Sequence, residues 1–308
     1  MDSIEIRPMQ AADRLEVAEL ICVSTNFWYR VHGHGPFFSR SVDADVFFDV
    51  YEALDPGCGL VAVSRHSGRL AGSCFVHPRA THISLGIMNV HPNHFGCGVG
   101  RELLDSVVAW ADREQKPLRL VSSAMNLDSY SLYTRAGFVP RAAFQDMVID
   151  VPPEGLDHTV PNADAVREAT PGDVEAMTDL EMELVGICRD KDFRHFLENR
   201  EGFWHVSVAE GPRGGLDGFL VSSAHRGINM IGPGVMRTPR EAAALLLAEL
   251  NRQRGRHPIF VLPVDSTPLV QQAYTWGARN CEIHFAQCLG PWRPPAGVVL
   301  PAYLPETG

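Results

Sequence analysis

The chain has 308 residues, 45% of them hydrophobic and 21% charged, with a formal net charge of −10. At roughly 150 residues per domain, this length predicts two domains. The composition excludes a disordered, collagen-like or coiled-coil protein. The first 150 residues hold 17 acidic and 13 basic side chains, and the remainder holds 20 and 14. Neither half therefore has the excess of basic residues that nucleic-acid binding requires, and we expect no nucleic-acid partner.

The cysteines and the N-terminus bear on location. Seven cysteines, an odd number without a C-x-x-C pair, favour neither a disulfide framework nor a zinc ribbon. The first residues, MDSIEIRPM, lack a basic segment followed by an apolar run, and no apolar run is long enough to span a membrane. We expect a cytoplasmic monomer or homodimer with no signal peptide and no membrane span.

The first half alternates strand and helix patterns along the chain. Strands are predicted at Ser3–Arg7, Leu60–Arg65, Leu70–His77, Thr81–Val90, Leu118–Ser122 and Phe138–Ile149. Helices are predicted at Ala11–Ser24, Asp43–Leu54 (with Asp43 as N-cap), Val99–Glu114 and Asp128–Ala136. On the first helix, Leu15, Ala18, Ile21 and Cys22 share the face expected to be buried. Residues 26–40 are rich in aromatic residues, Gly and His and are predicted to form a loop.

A polar segment with three prolines, Val151–Asp164, is predicted to be a linker. Residues 165–308 then repeat the order of the elements with little sequence identity. A repeat of this length indicates two tandem copies of one fold, in domains 1–150 and 165–308. The tail Pro291–Gly308 holds five prolines and is expected to be extended.

A glycine loop, Phe95–Arg101, joins a strand to a helix. Gly96, Gly98 and Gly100 lack Cβ atoms and let the backbone curl close to a ligand. The helix start has a positive dipole and no Ser, Thr, Asp or Asn as N-cap, so a phosphate could satisfy its free N–H groups. A tight turn without a ligand is the alternative. Arg101 stands where the Rossmann fingerprint needs glycine, and the Gly-Lys-Ser/Thr of a P-loop is absent.

This loop, followed about 25 residues later by Asn126–Phe138, resembles the GNAT superfamily of acyl-CoA N-acyltransferases. The loop of that family is Gln/Arg-x-x-Gly-x-Gly/Ala, and its second motif ends in Tyr-x-x-x-Gly-Phe. Gly98 and Gly100 match the loop glycines, although Phe95 replaces the usual Gln or Arg. Tyr133 matches the family tyrosine.

The resemblance covers Ile4–Asp150, whereas the second half resembles the family only in outline. It implies an α/β (α+β) fold of two tandem GNAT-like domains, each a twisted mixed sheet flanked by helices. It also implies acetyl-CoA as co-substrate, without a metal, with pyrophosphate on the glycine loop and pantetheine along a strand edge. The cofactor-binding residues that it implies are Met88, Asn89, Val90, Phe95, Gly96, Cys97, Gly98, Val99, Gly100, Arg101 and Asn126.

Acyl transfer to an amine needs a neutral amine, a donor for the oxyanion and an acid for the leaving thiolate. A strand N–H near Val90 could be the oxyanion donor. The resemblance makes Tyr133 the candidate acid, because a phenol can donate at neutral pH, and a core aromatic is the alternative. The base is not identified, because Ser84 stands where many family members carry Glu. A water chain or an amine that arrives neutral could take its place.

The acceptor site of the family usually lies at the position of Phe27–Phe38, where five of twelve residues are aromatic. These rings could form a wall that holds a cation, or they could pack against the second half. The candidate substrate-binding residues are Phe27, Trp28, Tyr29 and His32. The nearby histidines, namely His32, His34, His82 and His91, are expected to be structural or exposed. No Cys, Asp or Glu nearby completes a ligand set with His32 and His34, so we expect no metal.

The second half has lost both motifs. Its counterpart of the glycine loop ends in Thr238-Pro239-Arg240-Glu241, which predicts a capping box. Ala273 stands at the position of the tyrosine, and Tyr274 is one residue away. Arg237 and Arg240 leave phosphate binding open, because arginine binds phosphate well. We interpret this half as a degenerate, structural or acceptor-shaping copy.

The sequence thus predicts an N-acetyltransferase that acts on the amine of a small molecule and has no membrane partner. One alternative is an acyl-CoA-binding regulatory protein without turnover, which Ser84 favours. Another is an acetyltransferase for a protein N-terminus or lysine. Tandem GNAT proteins also include the family that acetylates the cysteinyl precursor of mycothiol, but no residue here specifies that acceptor.

Overall fold

The computed structural model describes residues 3–212 and 214–304. In the first half the strands are β1 (Ile4–Pro8), β2 (Leu60–Ser64), β3 (Leu70–Pro78), β4 (Ile83–Val90), β5 (Leu118–Ser123) and β6 (Val139–Val148). The helices of this half are α1 (Arg14–Val31), α2 (Asp45–Leu54), α3 (Val99–Glu114) and α4 (Leu127–Arg135). These bounds confirm the predicted order of elements. The order was predictable because turns with glycine and proline separate the alternating patterns of strands from the helical patterns.

The second half repeats this order. Its strands are β7 (Val166–Glu168), β8 (Trp204–Glu210), β9 (Leu216–His225), β10 (Ile228–Met236), β11 (Ile259–Pro263), β12 (Arg279–Leu289) and β13 (Val298–Leu300). Its helices are α5 (Val174–Leu184), α6 (Asp190–Glu198), α7 (Pro239–Arg252) and α8 (Thr267–Thr275). The tail predicted to be extended contains β13, and its residues 305–308 lie outside the described part of the chain.

The first helix differs from its prediction. Residues 26–31, predicted as loop, continue α1, because no helix-breaking residue precedes Gly33, whose φ of +84° suits glycine. Leu15, predicted to be buried, is 72% exposed, whereas Ala18 and Ile21 are buried as expected. Asp43 is not an N-cap of α2; it lies in a preceding 3-10 turn, where Arg40 and Arg226 bind its carboxylate.

The two halves share one sheet. In the described residues its strand order is β1-β2-β3-β4-β5-β12-β6-β11-β10-β9-β8-β7, with β13 paired to β10 outside this path. The last long strand of the second half, β12, therefore lies between β5 and β6 of the first, and β6 in turn pairs with β11. Each half completes the sheet of the other. The predicted domain bounds of 1–150 and 165–308, with linker 151–164, stay a prediction, because the sheet is continuous across them.

The hydrophobic core also spans the two halves, as the shared sheet does. The largest hydrophobic cluster joins buried residues of α1 and α2 to those of α5 and α6. Two smaller clusters lie under α3 with α4 and under α7 with α8. One core thus spans both halves, and helices α3 and α7 each cover a smaller one. In the described residues no helix is long and apolar enough to cross a membrane.

A buried ion network also joins the halves. The guanidinium of Arg79, after β3, lies 2.8 Å from Asp55 Oδ2 and 3.0 Å from Asp192 Oδ2 on α6. His77 Nδ1 lies 2.7 Å from the same oxygen of Asp55. Burial alone would raise the pKa of Asp55, but the hydrogen bond with His77 and the charge of Arg79 hold it well below its usual range. The buried charges are therefore paired.

Arg79→Met should lower the free energy of unfolding by about 3–5 kcal/mol, because it leaves the buried carboxylate of Asp192 without its cation and leaves Asp55 with Lys191 and His77 only. Arg14→Met is the matched control, since Arg14 forms partly exposed ion pairs with Asp45 and Asp49, and it should cost about 0–1 kcal/mol. Urea denaturation measures both values. Equal values for the two variants would show that the network does not hold the halves together.

Candidate active site

The sheet of the first half opens between β4 and β5. In the described residues these parallel strands pair only at Ile83↔Leu118 and Ser84↔Arg119. We name the gap beyond these pairs the first fork. It leaves one backbone edge of β4, from Leu85 to Val90, without a strand partner. Amides of an extended ligand such as pantetheine could pair with such an edge.

A bulge disturbs β4 at the first fork. Cys74 pairs with Met88 and Val76 with Leu85, so that β4 takes three steps where β3 takes two. The ladder does not pair the extra residue, so its backbone groups are candidates for binding another partner. The candidate oxyanion donor is thus a backbone N–H between Leu85 and Met88. The sequence placed this donor a few residues later, near Val90. Ser84, at the closed end of the first fork, is buried.

The predicted glycine loop begins α3 as expected. Gly96 and Gly98 have φ values of +74° and +90°, which favour glycine. Gly98 is the N-cap of α3 and supplies no side-chain acceptor for the N–H groups of the first turn. A Cβ built on either glycine meets no atom within 4 Å. The helix start therefore combines unsatisfied donors with open space, which suits a phosphate group.

The other predicted cofactor residues have varied surroundings. Asn89 Nδ2 donates to Ser24 Oγ at 2.8 Å, and its buried Oδ1 has no partner among the described residues, so a ligand N–H could satisfy it. Asn126 instead caps α4, because its Oδ1 accepts from the N–H of Ser129 at 3.1 Å. Arg101 is exposed and lies 3.6 Å from Asp105. Met88, Val90, Cys97, Val99 and Gly100 lie on β4, in the glycine loop or in the first turn of α3, as expected.

Tyr133 belongs to the core beneath α3. Its side chain is 7% exposed and lies in one hydrophobic cluster with Leu120 of β5 and Val99 of α3. The ring packs against Phe138 with centroids 5.8 Å apart. The residue thus lies between the start of α3 and the strand that borders the first fork. This position agrees with either of the two roles considered for it, and the acid role stays a prediction.

Four of the five predicted acceptor-site aromatics contact one another in series, Trp28 with Tyr29, Tyr29 with Phe37 and Phe37 with Phe38, and their role in acceptor binding stays a prediction. Phe27 is exposed and contacts Phe95 of the glycine loop, with ring centroids 5.6 Å apart. Trp28 stacks on the exposed ring of His32 at 4.2 Å. The ring of Tyr29 contacts those of Trp28 and Phe37, and its hydroxyl lies 3.5 Å from Glu282 Oε2 on β12. The second half therefore reaches the first at this position.

Sequence reasoning missed an ionisable cluster around Glu282. Asp146, Glu282 and His284 are each less than 9% exposed, and one ligand atom of each lies within 4.8 Å of the others. The hydroxyl of Ser123 donates to Glu282 Oε1, and that of Tyr303 donates to Asp146 Oδ1. Because a hydroxyl donates to one oxygen of each carboxylate, we interpret the cluster as a hydrogen-bonded network. Asp146, a charged residue inside the predicted strand Phe138–Ile149, was the signal available in the sequence.

The second half has a fork of its own between β10 and β11, which pair at Met230↔Ile259 and Ile231↔Phe260. We name it the second fork. The tail strand β13 fills it by pairing with β10 at Gly234↔Leu300, Val235↔Val299 and Met236↔Val298. The backbone edge that is open on β4 is thus occupied on β10.

The helix start beside the second fork is also occupied. Thr238 Oγ accepts from the N–H of Arg240 at 3.1 Å, and its hydroxyl donates to Glu241. The predicted capping box is therefore only partly formed, because Glu241 binds the threonine hydroxyl rather than the N-cap N–H. Arg237 lies in ion pairs with Glu183 and Asp217. It is engaged by carboxylates.

Residues 23–138 match the family model described as the acetyltransferase (GNAT) family. A protein from Pyrococcus horikoshii assigned to the acetyltransferases superposes with a TM-score of 0.75 at 16% identity, covering 99% of this chain and 97% of its own. A GCN5-related N-acetyltransferase from Sphaerobacter thermophilus gives 0.63 at 21% identity, covering 95% and 98%. A tandem GNAT protein from the clavulanic acid biosynthesis pathway gives 0.61 at 17% identity, covering 94% and 100%. No curated protein matches significantly.

These findings confirm the predicted family. The first half contains the segment that matches the GNAT family model, and the two halves together have the tandem GNAT fold. The identities of the solved structures are low, so their likeness concerns the fold alone.

Gly98→Asp should weaken acetyl-CoA binding by at least about tenfold, because it adds a Cβ and a negative charge at the helix start. Gly255→Asp is the matched control, since Gly255 also has a positive φ (+70°) and open space but lies in the second half. Calorimetry should show an altered Kd for the first variant alone. Equal affinity in both variants would place the phosphate site elsewhere.

Thr238→Ala with Glu241→Ala should lower the free energy of unfolding by roughly 1–2 kcal/mol, the value of a lost cap. The stoichiometry should remain one acetyl-CoA per chain, because β13 still occupies the second fork. Thermal unfolding and calorimetry measure the two quantities. A second bound molecule would show that the cap, and not the tail strand, keeps this half empty.

Proposed function

We propose that the chain transfers an acetyl or other short acyl group from acyl-CoA to the amine of a small molecule. The observation that carries this proposal is the first fork, open along β4 and adjacent to the uncapped start of α3. Both features suit acyl-CoA, whose pantetheine arm carries amides and whose pyrophosphate is an anion. The family match of residues 23–138 supports acyl transfer as the reaction class.

The reaction assigns work to several groups of the chain. The amine nitrogen attacks the thioester carbon, the C–N bond forms, and the carbonyl oxygen becomes an oxyanion that needs a nearby donor. The C–S bond then breaks, and the thiolate takes a proton. A backbone N–H of the β4 bulge is our candidate donor, and the Tyr133 hydroxyl is our candidate acid.

One molecule of acyl-CoA per chain follows from the contrast between the forks. The first fork offers a free strand edge, whereas β13 occupies the second. We propose that the second half is a degenerate copy that completes the sheet and helps to shape the acceptor site. The contact between Tyr29 and Glu282 supports this role.

The surroundings of the reaction are also proposals. All seven cysteines are free, which agrees with a reducing compartment such as the cytoplasm. We propose a monomer or homodimer that needs no metal for the reaction. The excess of acidic residues suits a cationic acceptor better than nucleic acid.

The direct test incubates the pure chain with acetyl-CoA and a panel of small amines, and it measures release of free thiol. We expect release that depends on one class of amine. Binding of acetyl-CoA without amine-dependent release would instead favour the regulatory alternative. Release with peptide N-termini or lysines alone would move the acceptor to proteins.

Tyr133→Phe should lower kcat by about 10²-fold or more, as for loss of a general acid, while the Kd for acetyl-CoA holds. Tyr130→Phe, on the same helix, is the matched control and should leave kcat near the wild-type value. Steady-state kinetics under conditions where chemistry limits the rate decide the matter. A Tyr133→Phe enzyme as fast as its control would make this tyrosine a packing residue.

A further inference from the structure

The proposed reaction lacks a base, and the strand exchange supplies a candidate. Asp146 of β6 pairs with Glu282 of β12, and Ser123 at the end of β5 pairs with His284 of β12. Glu282 thus lies within reach of the last residue of β5, although it is 159 positions away from it in sequence. The ladder, rather than a flexible loop, fixes this position.

Glu282 lies on the face of the sheet that packs against α1. Side chains alternate along a strand, so Glu282 lies on the same face of β12 as Ala286, and Ser123 on the same face of β5 as Val121. Ala286 and Val121 both contact the core cluster that contains α1. Ile87 of β4, at the bulge of the first fork, contacts that same cluster. The carboxylate and the free edge of β4 therefore border the same side of the sheet.

The two oxygens of Glu282 have different surroundings. Oε1 accepts the hydroxyl of Ser123, whereas Oε2 lies 3.5 Å from the hydroxyl of Tyr29, a long contact. Serine holds the orientation of the carboxylate while Oε2 keeps capacity for a stronger donor. An amine or ammonium N–H is such a donor.

The charged and titratable groups that face Glu282 come from each neighbouring element. They are Asp146 from β6, Cys281 and His284 from β12, Tyr29 from α1 and Tyr303 from the tail. Burial raises the pKa of Glu282 to about 7; Asp146 adds to the rise, and His284 and Tyr29 oppose it. A carboxyl group with this pKa is partly ionised at neutral pH, where a general base works best.

We propose that Glu282, carried into the first half by β12, is the general base that accepts the proton of the acceptor amine. This assignment rests on the proposed function. As the nitrogen attacks, the C–N bond forms and the nitrogen gives its proton to Oε2. The C–S bond then breaks, and the thiolate takes the Tyr133 proton. Ser84 needs no role in proton transfer.

The Glu282→Gln variant keeps the shape of the side chain and an oxygen for Ser123, but it removes the base. It should lower kcat/KM at pH 7 by about 10²-fold. In the wild type, the rate should rise with pH through about 7, because the carboxylate is the active form. This rise should disappear in the variant, while the Kd for acetyl-CoA stays the same. Glu282→Asp should restore part of the rate.

Glu249→Gln is the matched control. Glu249 is also fully buried and accepts the hydroxyl of Ser222 at 2.6 Å, but it lies in the second half beside His205. This variant should keep the rise with pH and a rate within about threefold of wild type. Dialysis of the wild type against EDTA should not change its rate. Loss of activity that a divalent cation restores would overturn the proposal by making the cluster a metal site.

The outcomes separate this proposal from the proposed function. Amine-dependent thiol release together with an unchanged pH profile in Glu282→Gln overturns Glu282 as base and leaves acyl transfer intact. If acetyl-CoA binds but no amine reacts, hydrolysis of the thioester supplies the same pH test, with water in place of the amine. Absence of both reactions overturns the proposed function and, with it, the base.

Discussion

The pairing of β12 with β5 is the constraint on which the rest of the molecule depends. This antiparallel ladder runs from His284↔Ser123 to Leu289↔Leu118 and inserts a strand of the second half into the sheet of the first. Because β6 makes the reciprocal insertion beside β11, neither half completes its sheet alone. The shared core and the buried ion network then follow from the way the sheet brings α1, α2, α5 and α6 onto one side.

The two forks have the same architecture, but a strand of the chain occupies only the second. At the first fork, β4 offers free backbone groups and Gly98 leaves the first turn of α3 without a side-chain acceptor. At the second, β13 takes the backbone groups and Thr238 takes an N–H of the first turn of α7. A peptide strand and a side-chain oxygen thus satisfy the kinds of donors and acceptors that acyl-CoA would use. Occupation of the second fork needs no change of fold, only a tail of suitable length.

Local chemistry made much of the first half predictable. The bounds of α3 follow from Gly98 before it and from an amphipathic pattern that ends near Glu114, and the structure confirms them. The hairpin of β2 and β3 likewise follows from the turn residues between them, His66-Ser67-Gly68-Arg69. Helix α1 was predicted too short, because aromatic residues and histidines suggested a loop although they are compatible with a helix.

The remaining features depend on contacts distant in sequence. Strand exchange leaves the period of two in β6 and β12 unchanged, so the pattern cannot reveal which half each strand joins. Glu282 could be recognised as a polar residue in a strand, but its closeness to Ser123 arises only when β12 enters the first half. The place of β13 in the second fork is hidden for the same reason, since three apolar residues among prolines resemble any extended tail.

A crystal structure of the chain with acetyl-CoA tests the central claim most directly. The account predicts one molecule per chain, with its pyrophosphate on residues 95–101, its pantetheine along β4 in the first fork, and its thioester on the face of the sheet that Glu282 borders. The second fork should still hold β13. Acetyl-CoA in the second fork, or a thioester directed away from Glu282, would contradict the account.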